Sequence, residues 1–174
     1  MKYGILTTFS DLSPQYSLTS IAVDQARMID NAGHTPVLFV LTNFDVEEQR
    51  ARLPPSTEIR AVIPVFHAVD YKAAADLSAE HIAYAKEAQA ALMPYLQELE
   101  AMIAHDILFL GWNLPLNLAV QGLSAAVPNL IWLHWVHSVP AGTFRDFWQL
   151  PEGRHSLVYL NQTDQLRCAE HFRV

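Results

Sequence analysis

The sequence predicts a three-layer α/β sandwich built on a mostly parallel sheet of about six strands. Short apolar runs alternate with longer segments of helical periodicity, the pattern of strands joined by crossover helices. The first helical segment ends at Gly33, where a C-terminal glycine belongs, and an apolar run follows at once. The stretch Pro128 to His134 (PNLIWLH) is apolar with β-branched and aromatic content, as in a central strand buried on both faces.

Taken in order, Tyr3 to Thr8 (YGILTT) reads as the first strand, and Phe9 to Ser17 (FSDLSPQYS) as a loop rich in turn formers. A helix is expected from about Leu18 to Asn31, capped by Ser17 or Thr19. Its apolar positions Leu18, Ile21, Ala22, Ala26 and Ile29 follow helical spacing. Pro36 to Leu41 (PVLFVL) is the second strand. Together these pieces span roughly 40 residues, the size of a right-handed parallel crossover. Thr42 to Thr57 is polar, with a short helix expected in EEQRAR, and Ile59 to Val65 is a weaker third strand. Ala73 to Ala104 is helical in pattern, with Pro94 expected to kink it or divide it in two. Asp106 to Leu110 (DILFL) is read as the fourth strand, Leu116 to Ala126 as a short helix capped by Asn113, and Pro128 to His134 as the fifth strand. Ser156 to Leu160 (SLVYL) is the sixth, followed by a helix from Asp164 to Phe172 capped by Asn161 or Thr163. The class is Rossmann-like.

A chain of 174 residues suits one domain with a sizeable core. The formal net charge of −7 argues against a nucleic-acid partner, which needs a basic face. An anionic small ligand stays open, because helix N-termini hold phosphates without side-chain charge. The single cysteine, Cys168, builds neither a disulfide framework nor a thiolate metal site and fits a reducing compartment. The opening MKYGILTTFSDLS has too short an apolar core for a signal peptide, and no run approaches the ~18 residues of a membrane span, so a cytoplasmic protein is expected. GxGxxG, GxxxxGK[ST] and GxSxG are all missing, which removes the dinucleotide fingerprint, the P-loop and the hydrolase elbow.

Chemistry in open parallel sheets gathers at the carboxyl ends of the strands. His134 is placed there as the leading catalytic candidate, against the alternative of a buried histidine satisfied by backbone. His137, Ser138 and Trp135 follow it and are read as substrate-binding, as is Trp112 after the fourth strand, with core packing the alternative for both tryptophans. Asp11, Gln15 and Tyr16 in the first loop face the same edge. Asp11 suits either a general base or a turn, and Asn113 either a ligand contact or a helix cap. His134 and His137 offer two metal ligands without an evident third, so no metal and no cofactor is expected. His34, His67, His81, His105, His155 and His171 show no convergent partners in the sequence, and Cys168 reads as packing.

Four segments carry a resemblance. Ile21 to Thr42 (IAVDQARMIDNAGHTPVLFVLT) runs an apolar helix into Gly33-His34 and then a strand. Asp106 to Gly111 is an Asp followed by apolar residues. Pro128 to His134 begins with Pro and ends six residues later in His. Ser156 to Val174 is a strand followed by a helix. In this order they resemble the N-terminal, acceptor-side domain of the GT-B glycosyltransferases, most closely the large retaining sugar-nucleotide-dependent family known as glycosyltransferase family 4. The resemblance implies transfer of a hexose from a nucleotide-sugar donor to a hydroxyl acceptor, with His134 in the cleft positioning and stabilising the reacting groups. It further implies a second Rossmann-like domain, or a partner subunit, carrying most of the donor contacts, without which the chain alone is expected to be inactive. Two positions depart from the family pattern. Ser13-Pro14-Gln15-Tyr16 stands where a Gly-Gly pair approaches the donor phosphates, and Gly111-Trp112 stands where the family often has His.

Two rival classes remain. One is a non-catalytic α/β ligand-binding or assembly module, for which Trp135, Phe144, Phe147 and Trp148 would form an interface. The other is a small hydrolase or epimerase using His134 and His137 with Asp11.

Overall fold

The computed structural model describes residues 1–66, 77–107, 114–137, 153–159 and 166. Among these residues six strands form a single parallel sheet: β1 (Lys2–Leu6), β2 (Thr35–Leu41), β3 (Glu58–Ile63), β4 (Leu99–His105), β5 (Ile131–Val136) and β6 (Arg154–Tyr159). Their order is β3-β2-β1-β4-β5-β6, and every neighbouring pair is parallel. The expected Rossmann-like sandwich is therefore what the chain forms.

Helix α1 (Ser17–Asn31) and the short α2 (Val46–Gln49) with its 3₁₀ extension Arg50–Arg52 belong to one layer. Helices α3 (Ala79–Leu96) and α4 (Leu114–Ala126) form the other. Each strand side is covered accordingly. Ile5, Leu38 and Val40 pack with Ala22 and Ala26 of α1, whereas Leu6, Phe39, Met102 and Trp132 pack with α3 and α4. Burial of large side chains such as Trp132 and Phe39 contributes about 1.5–3 kcal/mol apiece.

The β1-α1-β2 unit forms as its pattern predicts. Gly33 has φ +77°, its N–H donates to Asp30 O at 2.8 Å, and the His34 N–H donates to Ile29 O at 3.1 Å. That pair of bonds is a Schellman stop, and a residue with positive φ at its centre is best a glycine. The expected cap differs. Ser17 is the first helical residue, Tyr16 is the N-cap without a side-chain bond, and the Thr19 hydroxyl donates to the carbonyls of Ser13 and Tyr16. Thr19 thus ties the loop to the helix instead of capping it.

Two expectations about the middle of the chain are corrected. The fourth strand is Leu99–His105, not Asp106 to Leu110, and residues 108–110 lie outside the described residues. Ala101, Met102 and Ala104 are helix-forming types. Here they are buried in a strand hydrogen-bonded on both sides, to β1 and β5, where tertiary pairing overrides propensity. The helix before it is correspondingly shorter. It begins after Ser78, whose Oγ accepts from His81 N–H while His81 Nδ1 accepts from Ser78 N–H. It neither divides at Pro94 nor resumes beyond it. Pro94 stands in the last turn, and the helix stops at Leu96.

The fifth strand is shifted by a few residues from Pro128–His134 to Ile131–Val136. This places His134 inside the strand and brings Trp135 and Val136 into it. The final helix expected from Asp164 lies outside the described residues, apart from Leu166.

Candidate functional site: the carboxyl edge at β1, β4 and β5

In this strand order the crossovers from β1 and toward β4 leave in opposite directions, the switch point at which open α/β sheets have their ligand crevice, here at the carboxyl ends of β1 and β4. The loop after Leu6 and the residues His105 and Asp106 border it.

The segment Trp132-Leu133-His134-Trp135-Val136-His137 contains the pattern Trp-x-His twice. Side chains alternate across a strand, so a three-residue repeat sends the two copies to opposite faces. Each copy meets a histidine of a neighbouring strand. On the α3/α4 face, Trp132 is in register with His155 of β6, and His134 Nε2 lies 2.9 Å from His155 Nδ1. The three rings are stacked, with interplanar angles of 5° for Trp132–His134 and 10° for His134–His155. On the α1 face, Trp135 is in register with His105 of β4, and His105 Nδ1 lies 2.9 Å from His137 Nε2. The His105 and His137 rings stack at 15°, with the Trp135 ring tilted against both.

The α1-face group lies at the crevice and draws in two further residues. Gln25 of α1 is 7% exposed, and its Oε1 lies 2.8 Å from His105 Nε2. Asp106 is 5% exposed and holds φ 51°, the left-handed region that short polar residues enter at a cost. Its N–H donates to Trp135 O at 2.9 Å, and its Oδ1 accepts the His137 N–H at 2.8 Å. The Asp106 side chain thereby supplies the next rung of the β4–β5 ladder as the main chain turns away.

Electrostatics follow burial. Desolvation, with a smaller contribution from the neighbouring His137, lowers His105 to about 3, so this ring is neutral at physiological pH. Burial also lowers His137, opposed by the Asp106 carboxylate. Asp106 itself is raised by burial, opposed by the hydrogen bond from His137 N–H. The Tyr16 phenol is raised by desolvation and by the charge of Asp106, which brings the first loop within the field of this group. His137 Nδ1 is buried and has no hydrogen-bond partner among the described residues.

The site expected from the sequence is reached in part. His137 and Trp135 take part in the α1-face group. Tyr16 borders it, 51% exposed, with its ring edge-on to Phe9. Gln15 is exposed in the same loop. The Asp11 carboxylate accepts from Ser13 N–H at 2.7 Å, which gives it a turn-forming role. His134 is not at the strand end: it is 1% exposed, faces α3 and α4, and burial with the adjacent His155 lowers it to about 3. Trp112, Asn113 and Ser138 lie outside the described residues, as do Phe144, Phe147, Trp148 and Cys168.

Sequence reasoning missed Gln25, His105 and Asp106, and it left His105 and His155 without partners. A signal existed for Gln25, a polar residue on the apolar stripe of its helix beside Ala22 and Ala26. The others follow only from strand register.

A second feature of the carboxyl edge is a cavity of about 440 Å³ beyond β2 and β3, lined by Thr42, Pro64, Phe66, Glu80, Tyr84 and Glu87 among others. Among the described residues no group of three or more His, Cys, Asp or Glu side chains is arranged to hold a metal ion, and no helix is long and apolar enough to cross a membrane. Comparison of the chain with protein-family models, with curated proteins and with solved structures gives no match.

Proposed function

We propose that the chain forms the acceptor side of a GT-B-type glycosyltransferase cleft. It would hold a hydroxyl acceptor at the carboxyl edge while a second α/β domain or a partner subunit presents a nucleotide-sugar. The observation that carries this reading is the convergence of a half-buried imidazole, His137, and a buried carboxylate, Asp106, at the switch point of a sheet ordered 3-2-1-4-5-6. The aromatic wall of Trp135 supports it, because sugar rings pack their apolar faces on such surfaces. So does the cavity beside Phe66 and Tyr84 on the same edge.

In this reading His137 takes over from His134 the role of positioning the acceptor hydroxyl. The acceptor oxygen bonds to the anomeric carbon of the donor as the bond from that carbon to the diphosphate oxygen breaks. The acceptor's proton passes to the departing phosphate oxygen, so no protein base is consumed. His137 and Asp106 orient the hydroxyl, and neutral His105 behind them keeps the pocket free of a buried cation.

The test is a donor-hydrolysis and transfer assay. The polypeptide, with the domain or subunit that presents the donor, is incubated with uridine, guanosine and adenosine diphosphate sugars and a panel of glycoside acceptors. Release of nucleoside diphosphate that depends on the acceptor and is lost in His137→Ala supports the reading. Turnover indifferent to His137→Ala, or no turnover of any donor, overturns it in favour of a binding or assembly module.

A further inference from the structure

We propose that Gln25 and His105 are positioning residues that hold His137 as its Nε2–H tautomer, leaving a bare lone pair on Nδ1 for an acceptor hydroxyl. The inference deepens the acceptor-side reading and rests on it for the identity of the ligand, but its geometry stands alone.

The assignment follows from donor and acceptor chemistry, link by link. Gln25 Oε1 accepts hydrogen bonds and has no proton to give. The His105 Nε2 that faces it at 2.8 Å must therefore carry the proton. Burial keeps His105 neutral, so its other nitrogen, Nδ1, is bare. The contact from His105 Nδ1 to His137 Nε2 at 2.9 Å then requires the proton to be on His137 Nε2. A neutral His137 protonated there has an unprotonated Nδ1. Each imidazole is fixed by the one behind it, and the first is fixed by an amide on α1.

Two other observations point the same way. His137 Nδ1 is buried without a hydrogen-bond partner among the described residues. Native proteins leave few such atoms, and those they leave call for a specific explanation, a binding or reacting role among them. The main chain is held as well, because His137 N–H donates to Asp106 Oδ1 and Asp106 N–H donates to Trp135 O. The ring is thus set in tautomer by Gln25 and His105 and in place by Asp106. With its proton on the far nitrogen, the His137 ring accepts a hydrogen bond from a hydroxyl at Nδ1 without a change of tautomer.

The experiment is two-bond ¹H–¹⁵N NMR on histidine-labelled protein at neutral pH, with His137 assigned from the His137→Gln spectrum. The expected result is a protonated Nε2 and an unprotonated Nδ1 for His137. Gln25→Met removes the acceptor at nearly constant volume and is expected to mix the two tautomers. Gln25→Glu retains an acceptor and is expected to restore the wild-type pattern. A protonated His137 Nδ1 in the wild-type protein overturns the proposal, and so does a His137 signal indifferent to Gln25→Met. The wild-type spectrum alone decides if either variant fails to fold. The expected tautomer in a protein that turns over no nucleotide-sugar supports the relay and overturns only the glycosyl-transfer reading.

Discussion

The main-chain N–H of His137 donates to the carboxylate of Asp106 at 2.8 Å, and Asp106 reaches it only by adopting φ 51°. The left-handed conformation is offset by a hydrogen bond to a charged acceptor, which contributes about 1.5–3 kcal/mol. Asp106→Ala loses the bond while keeping a conformation that alanine adopts poorly, so it should destabilise the protein by about 2–3 kcal/mol. Asp106→Asn retains an acceptor oxygen and tolerance of this conformation and removes a buried charge, so its cost should stay under about 1 kcal/mol. Urea denaturation of the variants checks both values. A larger loss in Asp106→Asn than in Asp106→Ala would show that the charge, not the geometry, holds the β4–β5 edge.

Acid should unfold the protein through its buried histidines. His105 and His134 are both lowered from 6.5 to about 3, chiefly by desolvation. Between those values the unfolded chain binds protons that the folded chain does not. The stabilisation is complete above about pH 6.5 and is lost as the pH falls toward 3. Each ring contributes a slope of about 1.4 kcal/mol per pH unit within that window. Denaturation midpoints measured from pH 7 down to pH 4 should fall steadily, and His134→Gln should flatten the slope by close to one proton. A midpoint that holds level to pH 4 would contradict the assignment of both rings as buried and neutral.

Legibility in the sequence followed the range of the interactions. The β1-α1-β2 unit could be read because its signals are local: helical spacing from Leu18 to Ile29, then Gly33, then PVLFVL. Strand β4 could not, because Leu99–His105 follows α3 after a short turn and its Ala, Met and Ile residues carry no period-2 alternation when both faces are buried. The site divided in the same way. His137 and Trp135 announced themselves in a strand-to-loop segment, whereas His105 became a partner only through its register with Trp135. The doubled Trp-x-His of β5 was visible as residues, but the fact that its copies face opposite layers depends on where the strand begins. A shift of a few residues in that boundary moved His134 from the expected edge to the interior.

The turn after α1 offers a test free of packing. A Cβ added at Gly33 meets nothing within 4 Å, so any cost of substitution comes from its φ of +77° alone. Gly33→Ala should destabilise by about 1 kcal/mol. Gly33→Asn should cost less, since asparagine adopts this region more readily. Thermal or urea unfolding distinguishes them, and equal costs for the two variants would mean that the Schellman stop is not what limits this position.

The two faces of β5 should separate stability from activity. His134 is buried under α3 and α4, so His134→Ala opens a cavity and removes one hydrogen-bond partner of His155. The expected loss is about 2–4 kcal/mol, with activity per folded molecule unchanged. His137 is only partly buried at the crevice, so His137→Ala should lose about 1 kcal/mol, the worth of its bond to His105. Acceptor-dependent release of nucleoside diphosphate should nevertheless fall by about 100-fold, the scale set by loss of a group that orients a reacting hydroxyl. Denaturation curves and kcat/KM measured on the same preparations test the pair. The reverse pattern, with activity lost in folded His134→Ala and kept in His137→Ala, would return the chemistry to the α3/α4 face and remove the crevice at β1 and β4 from the mechanism.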